Sequence, residues 1–169
     1  MQVSTHRPLQ FDAVIEAPFG AVGVAIQERQ VSIALLFGNH ALKSAVHPMA
    51  KQIAEQINAY FNSATYVFNM PLTLKDTPYQ QRVWQAIRAI PVGQVQTYQA
   101  LAQQLGSGAR AVANACGANH LPLFIACHRV VAKSGLGGFM CGHPQGKLIK
   151  TALLKHEGIT FDCCKRITE

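Results

Sequence analysis

Two short apolar stripes at helical spacing, each with its own start and stop signals and followed by a third short helix, constrain this chain more than any other feature. Thr77-Pro78-Tyr79-Gln80 has the form of a capping box, with a hydroxyl at the N-cap, proline at the first helical position and Gln three residues on. Val83, Trp84, Ile87 and Ile90 then make one inner face, and Pro91 stops it. Thr97 opens a second helix that runs through Leu105, with Leu101 and Leu105 inward and Gly106 as its end signal. After Ser107-Gly108 a third helix runs from Ala109 to about Ala118. Two short helices around a tight Gly-Ser-Gly turn have the form of a helix-turn-helix, although an ordinary helical hairpin shares that spacing.

The third of these helices, "ARAVANACGAN", is small residues around one long cation, Arg110. A smooth helix of this kind can approach another surface closely, which suits a DNA minor groove with one inserted side chain. Tight helix–helix packing through Ala and Gly is the other reading. A last helix, "GKLIKTALLKHEG", places Leu148, Ile149, Ala152 and Leu153 inward, with Lys155 and His156 in its final turn and Gly158 at its end.

The first part of the chain has a different period. Phe11 to Ala17 and Ala21 to Gly38 read as β-structure, the second a hairpin turning near Glu28-Arg29. His47-Pro48 opens a helix whose Met49, Ile53, Ile57 and Phe61 recur every fourth residue. Thr65 to Leu74 adds a last strand before a boundary at Leu74 to Thr77. Two domains are therefore expected, 1–74 and 75–169, an α/β unit followed by a mainly helical one.

Charge separates the same two parts. Fifteen Lys and Arg against eight Asp and Glu leave a formal charge of +7, and no acid stands between Asp76 and Glu157. A polyanionic partner is indicated, with the C-terminal half as its contact surface. Hydrophobic residues make up 49% of the 169, and no apolar run approaches the roughly 20 residues of a membrane span. The opening "MQVSTHRPLQFD" lacks the apolar core of a secretory signal, so a cytoplasmic location is expected, or a nuclear one in a nucleated cell. Five cysteines, Cys116, Cys127, Cys141, Cys163 and Cys164, are an odd number without a C-x-x-C pair. That argues against a disulfide framework, and neither a metal site nor a cofactor is expected.

One cysteine stands out. Cys127 follows the apolar run "LPLFIA" and directly precedes His128 and Arg129. Burial raises a thiol's pKa, so a base or a positive field must oppose it if the sulfur is to react. His128 and Arg129 are the nearest candidates. In an extended strand, however, neighbours point to opposite faces, so His128 can serve Cys127 only if the chain turns there or a water or third residue bridges them.

From Thr77 to Gly158 the sequence resembles the O6-alkylguanine-DNA alkyltransferases (methylated-DNA–protein-cysteine methyltransferases). The residues that carry the resemblance are "TPYQQRVWQAIRAIPVGQVQTYQALA", "ARAVANACGANHLP", "IACHRVV", "SGLGGF" and "LLKHEG", in the family's order. It implies a small ribonuclease-H-like α/β domain followed by a mainly helical domain with a winged-helix-like helix-turn-helix. It also implies repair of double-stranded DNA by direct reversal. Cys127 would take the alkyl group from guanine O6, and from O4-methylthymine, irreversibly and once per molecule. Glu157 would orient His128, which would take the thiol proton through a water. Asn119 would steady the turn that aims Cys127, and Tyr98 would press on the target phosphate and aid protonation of the leaving guanine. Arg110 would fill the space left by the flipped nucleotide. Ala111, Asn114, Ala115 and Arg129 would join Tyr98 and Arg110 on the DNA side, and Pro122, Gly138, Phe139 and Met140 would line the pocket. A monomer without a membrane or cofactor is implied.

The chain departs from the family at Ala126, where proline is usual, and at Phe139, where many members have Tyr. Cys141, beside the expected pocket, is a second thiol, while Cys163 and Cys164 receive no role. Two rivals are a lesion-binding relative that performs no transfer and an unrelated cysteine hydrolase. The presence of Cys127 speaks against the first, and the basic helix-turn-helix against the second.

Overall fold

The computed structural model describes residues 10–28, 30–69, 76–161 and 167–168. β1 (Ala13–Ala17), β2 (Gly20–Gln27) and β3 (Gln30–Phe37) form an antiparallel meander in that spatial order, with Ala13 opposite Val24 and Val24 opposite Ile33. Glu28, at φ +47°, lies in the two-residue turn expected at that point, where Gln27 pairs with Gln30. Central β2 buries Ala21, Val22, Val24 and Ala25.

α1 (Pro48–Asn62) starts where proline predicts, with His47 Nδ1 accepting from the Met49 N–H at 3.2 Å. Its buried stripe is Ala50, Ile53, Ile57 and Tyr60, whereas Met49 and Phe61 are only partly buried. The inner face is thus rotated by one residue from the expected one, and it brings a phenol inward. No strand forms over 65–69, and the remainder of the strand expected up to Leu74 lies outside the described residues.

α2 (Pro78–Arg88) carries the full reciprocal capping box of Thr77 and Gln80, and buries Val83, Trp84 and Ile87. After β4 (Gln96–Thr97), α3 (Tyr98–Gln104) is capped by Thr97, whose hydroxyl accepts from the Ala100 N–H. Gly106 ends it at φ +60°, and the Ser107 N–H closes back on the Ala102 carbonyl at 2.8 Å. This left-handed cap favours glycine. α4 (Ala109–Gly117) follows at once, so the helix-turn-helix is present. α2 fastens it at both ends, through Tyr79 to the Ser107 hydroxyl at 2.7 Å and the Trp84 indole N–H to the Ala115 carbonyl at 3.0 Å.

A parallel pair of β4 and β5 (Val130–Val131) precedes α5 (Gly146–His156), and β6 (Thr160–Phe161) pairs with β7 (Ile167–Thr168). α5 buries Ile149, Lys150, Leu153 and Leu154. Leu148, expected inward, is 49% exposed because the inner stripe falls one residue later. One continuous cluster of buried side chains joins the sheet and α1 to α2, α3, α4 and α5. Among the described residues, no helix is long and apolar enough to cross a membrane.

Candidate functional site

The loop between α4 and β5 aims Cys127 by a series of tight turns. Asn119 organises it, its Oδ1 accepting from the Leu121 N–H at 2.9 Å. Asn119 Nδ2 donates to the Ile125 carbonyl at 2.9 Å and to Cys127 Sγ at 3.1 Å. Ala126, at φ −73° and ψ 57°, sits in an inverse γ-turn closed by the Cys127 N–H on the Ile125 carbonyl at 2.7 Å. Cys127–Arg129 then form one turn of 3₁₀-helix. Successive side chains in such a turn diverge by about 120° rather than alternate across a strand. Cys127 and His128 are therefore both able to point into the protein, which removes the geometric objection raised by an extended reading.

Cys127 is 6% exposed and lies in the wall of a cavity of about 180 Å³. Tyr98, Gly138, Phe139 and Met140 line that cavity as expected, and Ala113, Cys116, Gly117, Cys141 and Gly142 line it too. Pro122 does not; it forms an isolated β-bridge with Ile125. The Tyr98 hydroxyl donates to the Gly138 carbonyl at 3.2 Å. Gly137, at φ +70°, passes so close to this ring that an added Cβ would lie 3.0 Å from Tyr98 Cε2, so any other residue there would be strained in backbone and would crowd the ring.

Behind the thiol stands a buried charge network. Arg129 forks onto Glu157, Nε to Oε2 and Nη2 to Oε1 at 2.8 Å each, and its Nη1 donates to the Ile90 carbonyl at 2.6 Å. Arg129 was expected to face DNA; instead its guanidinium is spent on this carboxylate. His128 Nε2 lies 2.9 Å from the same Oε1, and Tyr60 donates to it at 2.8 Å. Although burial opposes ionisation, the hydrogen bonds from His128 and Arg129 and the Arg129 charge hold the Glu157 carboxyl down to about 2. Burial lowers the His128 pKa, so the imidazole is neutral near pH 7 and must donate from Nε2 to the ionised carboxylate. Its buried Nδ1 has no hydrogen-bond partner among the described residues.

Burial pushes the Cys127 thiol up, while the Asn119 hydrogen bond and the Lys150 charge pull it down. Lys150 has no exposure at all. Its Nζ donates to the Val130 carbonyl at 2.6 Å and the Gly138 carbonyl at 3.2 Å, and lies 5.8 Å from the centres of the Tyr98 and Phe139 rings. No ion pair engages it among the described residues, and burial lowers its pKa to about 8. In the sequence Lys150 counts only among the cations of the C-terminal contact surface, whereas the structure buries it, and Tyr60 is not marked at all. A lysine on the apolar stripe of α5, next to Ile149, is the signal that could have found the first; for Tyr60 the sequence offers none.

On α4, Arg110 and Asn114 are exposed and Ala111 half-buried. Ala115, expected on the DNA side, is 3% exposed and packs inward beside Val112. Helical spacing from Arg110 carries position 115 round to the core. No group of three or more His, Cys, Asp or Glu able to hold a metal occurs among the described residues.

A family model described as 6-O-methylguanine DNA methyltransferase, DNA binding domain, matches residues 78–159. The chain is 32% identical over 165 residues to the constitutive methylated-DNA–protein-cysteine methyltransferase of Bacillus subtilis, covering 90% of this chain and 98% of that protein. It is 42% identical over 131 residues to the regulatory protein ada of Salmonella typhimurium, covering 73% of this chain but only 36% of that longer protein. Among solved structures, Mycobacterium tuberculosis OGT in complex with DNA superposes with a TM-score of 0.67 at 33% identity, over 86% of this chain and 91% of that one.

Proposed function

This chain belongs to the methylated-DNA–protein-cysteine methyltransferases, and from that premise we propose that Cys127 is the sulfur to which the alkyl group passes. The protein binds DNA and repairs it by direct reversal of alkyl damage. The alkyl carbon on guanine O6 is the substrate centre, and a methyl on thymine O4 is open to the same displacement. The single observation that carries the assignment is the Cys127 sulfur held at 3.1 Å by Asn119 in the wall of a cavity, with the His128–Glu157–Arg129 network behind it.

The neutral imidazole of His128 takes the thiol proton at Nδ1 through a water, while Glu157 holds Nε2–H in place. Arg129 balances the Glu157 charge, which leaves Lys150, whose charge lowers the Cys127 pKa from behind the cavity lining, as the cation available to the thiolate. The thiolate attacks the alkyl carbon. The carbon–O6 bond breaks, its electron pair stays with the guanine, and a proton reaches the base from the side where Tyr98 stands. A thioether has no comparable leaving group, so the sulfur is consumed and each molecule acts once.

The target base must leave the stack to reach this cavity, because O6 is not accessible to a buried sulfur inside a duplex. Arg110, exposed on the smooth outer face of α4, suits the gap so created, with Ala111 and Asn114 beside it on the groove. One lesion, one cavity and one sulfur fit a monomer, acting in the cytoplasm or wherever the DNA is held.

Intact-mass measurement after incubation with an O6-methylguanine duplex tests this reading. One methyl on the Cys127 peptide is expected, and none from the Cys127→Ala variant, which should still bind DNA. A wild-type protein that shifts the duplex in a gel yet gains no mass would be a binder without transfer.

A further inference from the structure

α1 belongs to the N-terminal part of the chain, yet one of its side chains enters the network behind Cys127. Tyr60 is 1% exposed, and its hydroxyl donates to Glu157 Oε1 at 2.8 Å across 97 positions of sequence. That oxygen also receives His128 Nε2 at 2.9 Å and Arg129 Nη2 at 2.8 Å, three donors on one carboxylate oxygen. The neighbouring residue repeats the attachment from the other side, since His156 Nε2 lies 2.8 Å from the Tyr60 carbonyl oxygen. The Tyr60 ring is itself fixed, 5.2 Å from Phe61, 5.3 Å from Phe68 and 5.0 Å from His156 between centroids. Two adjacent residues at the end of α5 are thus tied to a single residue of α1.

We propose that Tyr60 is a positioning residue for alkyl transfer: its hydroxyl fixes the Glu157 carboxylate in the orientation that holds His128, so α1 is part of the transfer machinery as well as a scaffold. The inference rests on His128 acting as the base for Cys127. The hydroxyl stays a donor, because burial and the Glu157 charge push its pKa well above the ordinary phenol value.

The positive end of the O–H dipole sits on the oxygen that faces His128, where it offsets part of the Glu157 charge. Without it the carboxylate would favour a protonated imidazole more strongly. The other charged groups acting on His128 are Arg129 and Lys150, and both oppose its protonation. Around Tyr60 they are Glu157 and Arg129, with the His156 ring in contact. Removing the hydroxyl therefore has a defined sign: the pH at which transfer reaches half its maximal rate moves upward.

Tyr60→Phe keeps the ring and deletes only the donor. Single-turnover transfer from an O6-methylguanine duplex is measured against pH, together with DNA affinity and thermal unfolding. The expected result is a rate lowered roughly three- to tenfold, the factor carried by about one net hydrogen bond, with the acid midpoint displaced upward and DNA affinity unchanged. Ile57→Val, a buried α1 change away from the site, gauges mere destabilisation and should leave the midpoint in place. If Tyr60→Phe folds poorly, His156→Phe loosens Tyr60 from its backbone side and should displace the midpoint in the same direction. An unmoved midpoint in the folded Tyr60 variant, or an equal displacement in Ile57→Val, overturns the proposal. A wild-type protein that gains no methyl overturns instead the reading of Cys127 beneath it.

Discussion

Arg129→Leu separates a structural from a DNA-contacting arginine. In the wild type the Arg129 side chain is 11% exposed and makes two 2.8 Å bonds to a carboxylate with no exposure. Leucine fills most of the same space but leaves Glu157 with Tyr60 and His128 as its remaining donors. Removing one partner of a buried ion pair costs about 3–5 kcal/mol. The depression of the Glu157 carboxyl from 4.5 to about 2 is shared between His128 and Arg129, so roughly 3 kcal/mol at 1.36 kcal/mol per tenfold is the ceiling for the part that Arg129 supplies. For a chain of this size the loss lowers Tm by about 6–20 °C. The pH dependence has a definite sign. A depressed carboxyl contributes stability that is complete above its unfolded value near 4.5 and is lost as pH falls towards 2. The variant should therefore lose the Arg129 share of this acid-sensitive contribution and keep the His128 share, and the gap between the two proteins should narrow below pH 4.5. Calorimetry across pH 2–7 reads this, and titration of a fluorescent duplex at several salt concentrations reads DNA binding. The slope of log K against log salt should not change. A slope reduced by about one phosphate contact, roughly 0.9, with stability intact, would refute the assignment of Arg129 to the interior.

Lys150→Met removes the cation beside Cys127, so iodoacetamide labelling of that thiol should need a higher pH, and an unmoved midpoint would deny the charge a role. Wild-type stability should also rise between about pH 8 and 10.5, because the unfolded lysine binds its proton more tightly than the buried one, and the methionine variant should lack that rise in chemical denaturation. Ala126→Pro meets a φ of −73° that the pyrrolidine ring already prefers, so it should stabilise by about 0.4–1 kcal/mol; a loss of more than that in urea unfolding would show that the turn needs the Ala126 N–H.

The helices of the C-terminal half were readable because their limits are local. Thr77 and Thr97 cap the helices they precede, and Gly106 takes the left-handed position that ends α3. The hairpin through Glu28 was readable for the same reason, since a two-residue turn and an apolar run specify it at short range. Register within a helix was less secure. In α1 and α5 the buried stripe sits one residue away from the expected one at Tyr60 and Leu148, because one turn spans 3.6 residues and several stripes fit the same apolar positions.

By itself, then, the chain's order of residues determined which segments coil, where they stop, and that a thiol, an imidazole and a guanidinium emerge together after "LPLFIA". Where those three groups point was decided only in the tertiary structure. Arg129 turns away from the DNA side because a carboxylate 28 positions later is buried beside it, and Glu157 is completed by a phenol 97 positions earlier. Lys150 is tolerated inside because two carbonyls and two aromatic rings converge on it from separate segments. Caps and turns act within a few residues and leave a local signature, whereas a buried charge finds its partners across the core, where sequence separation carries no record of distance.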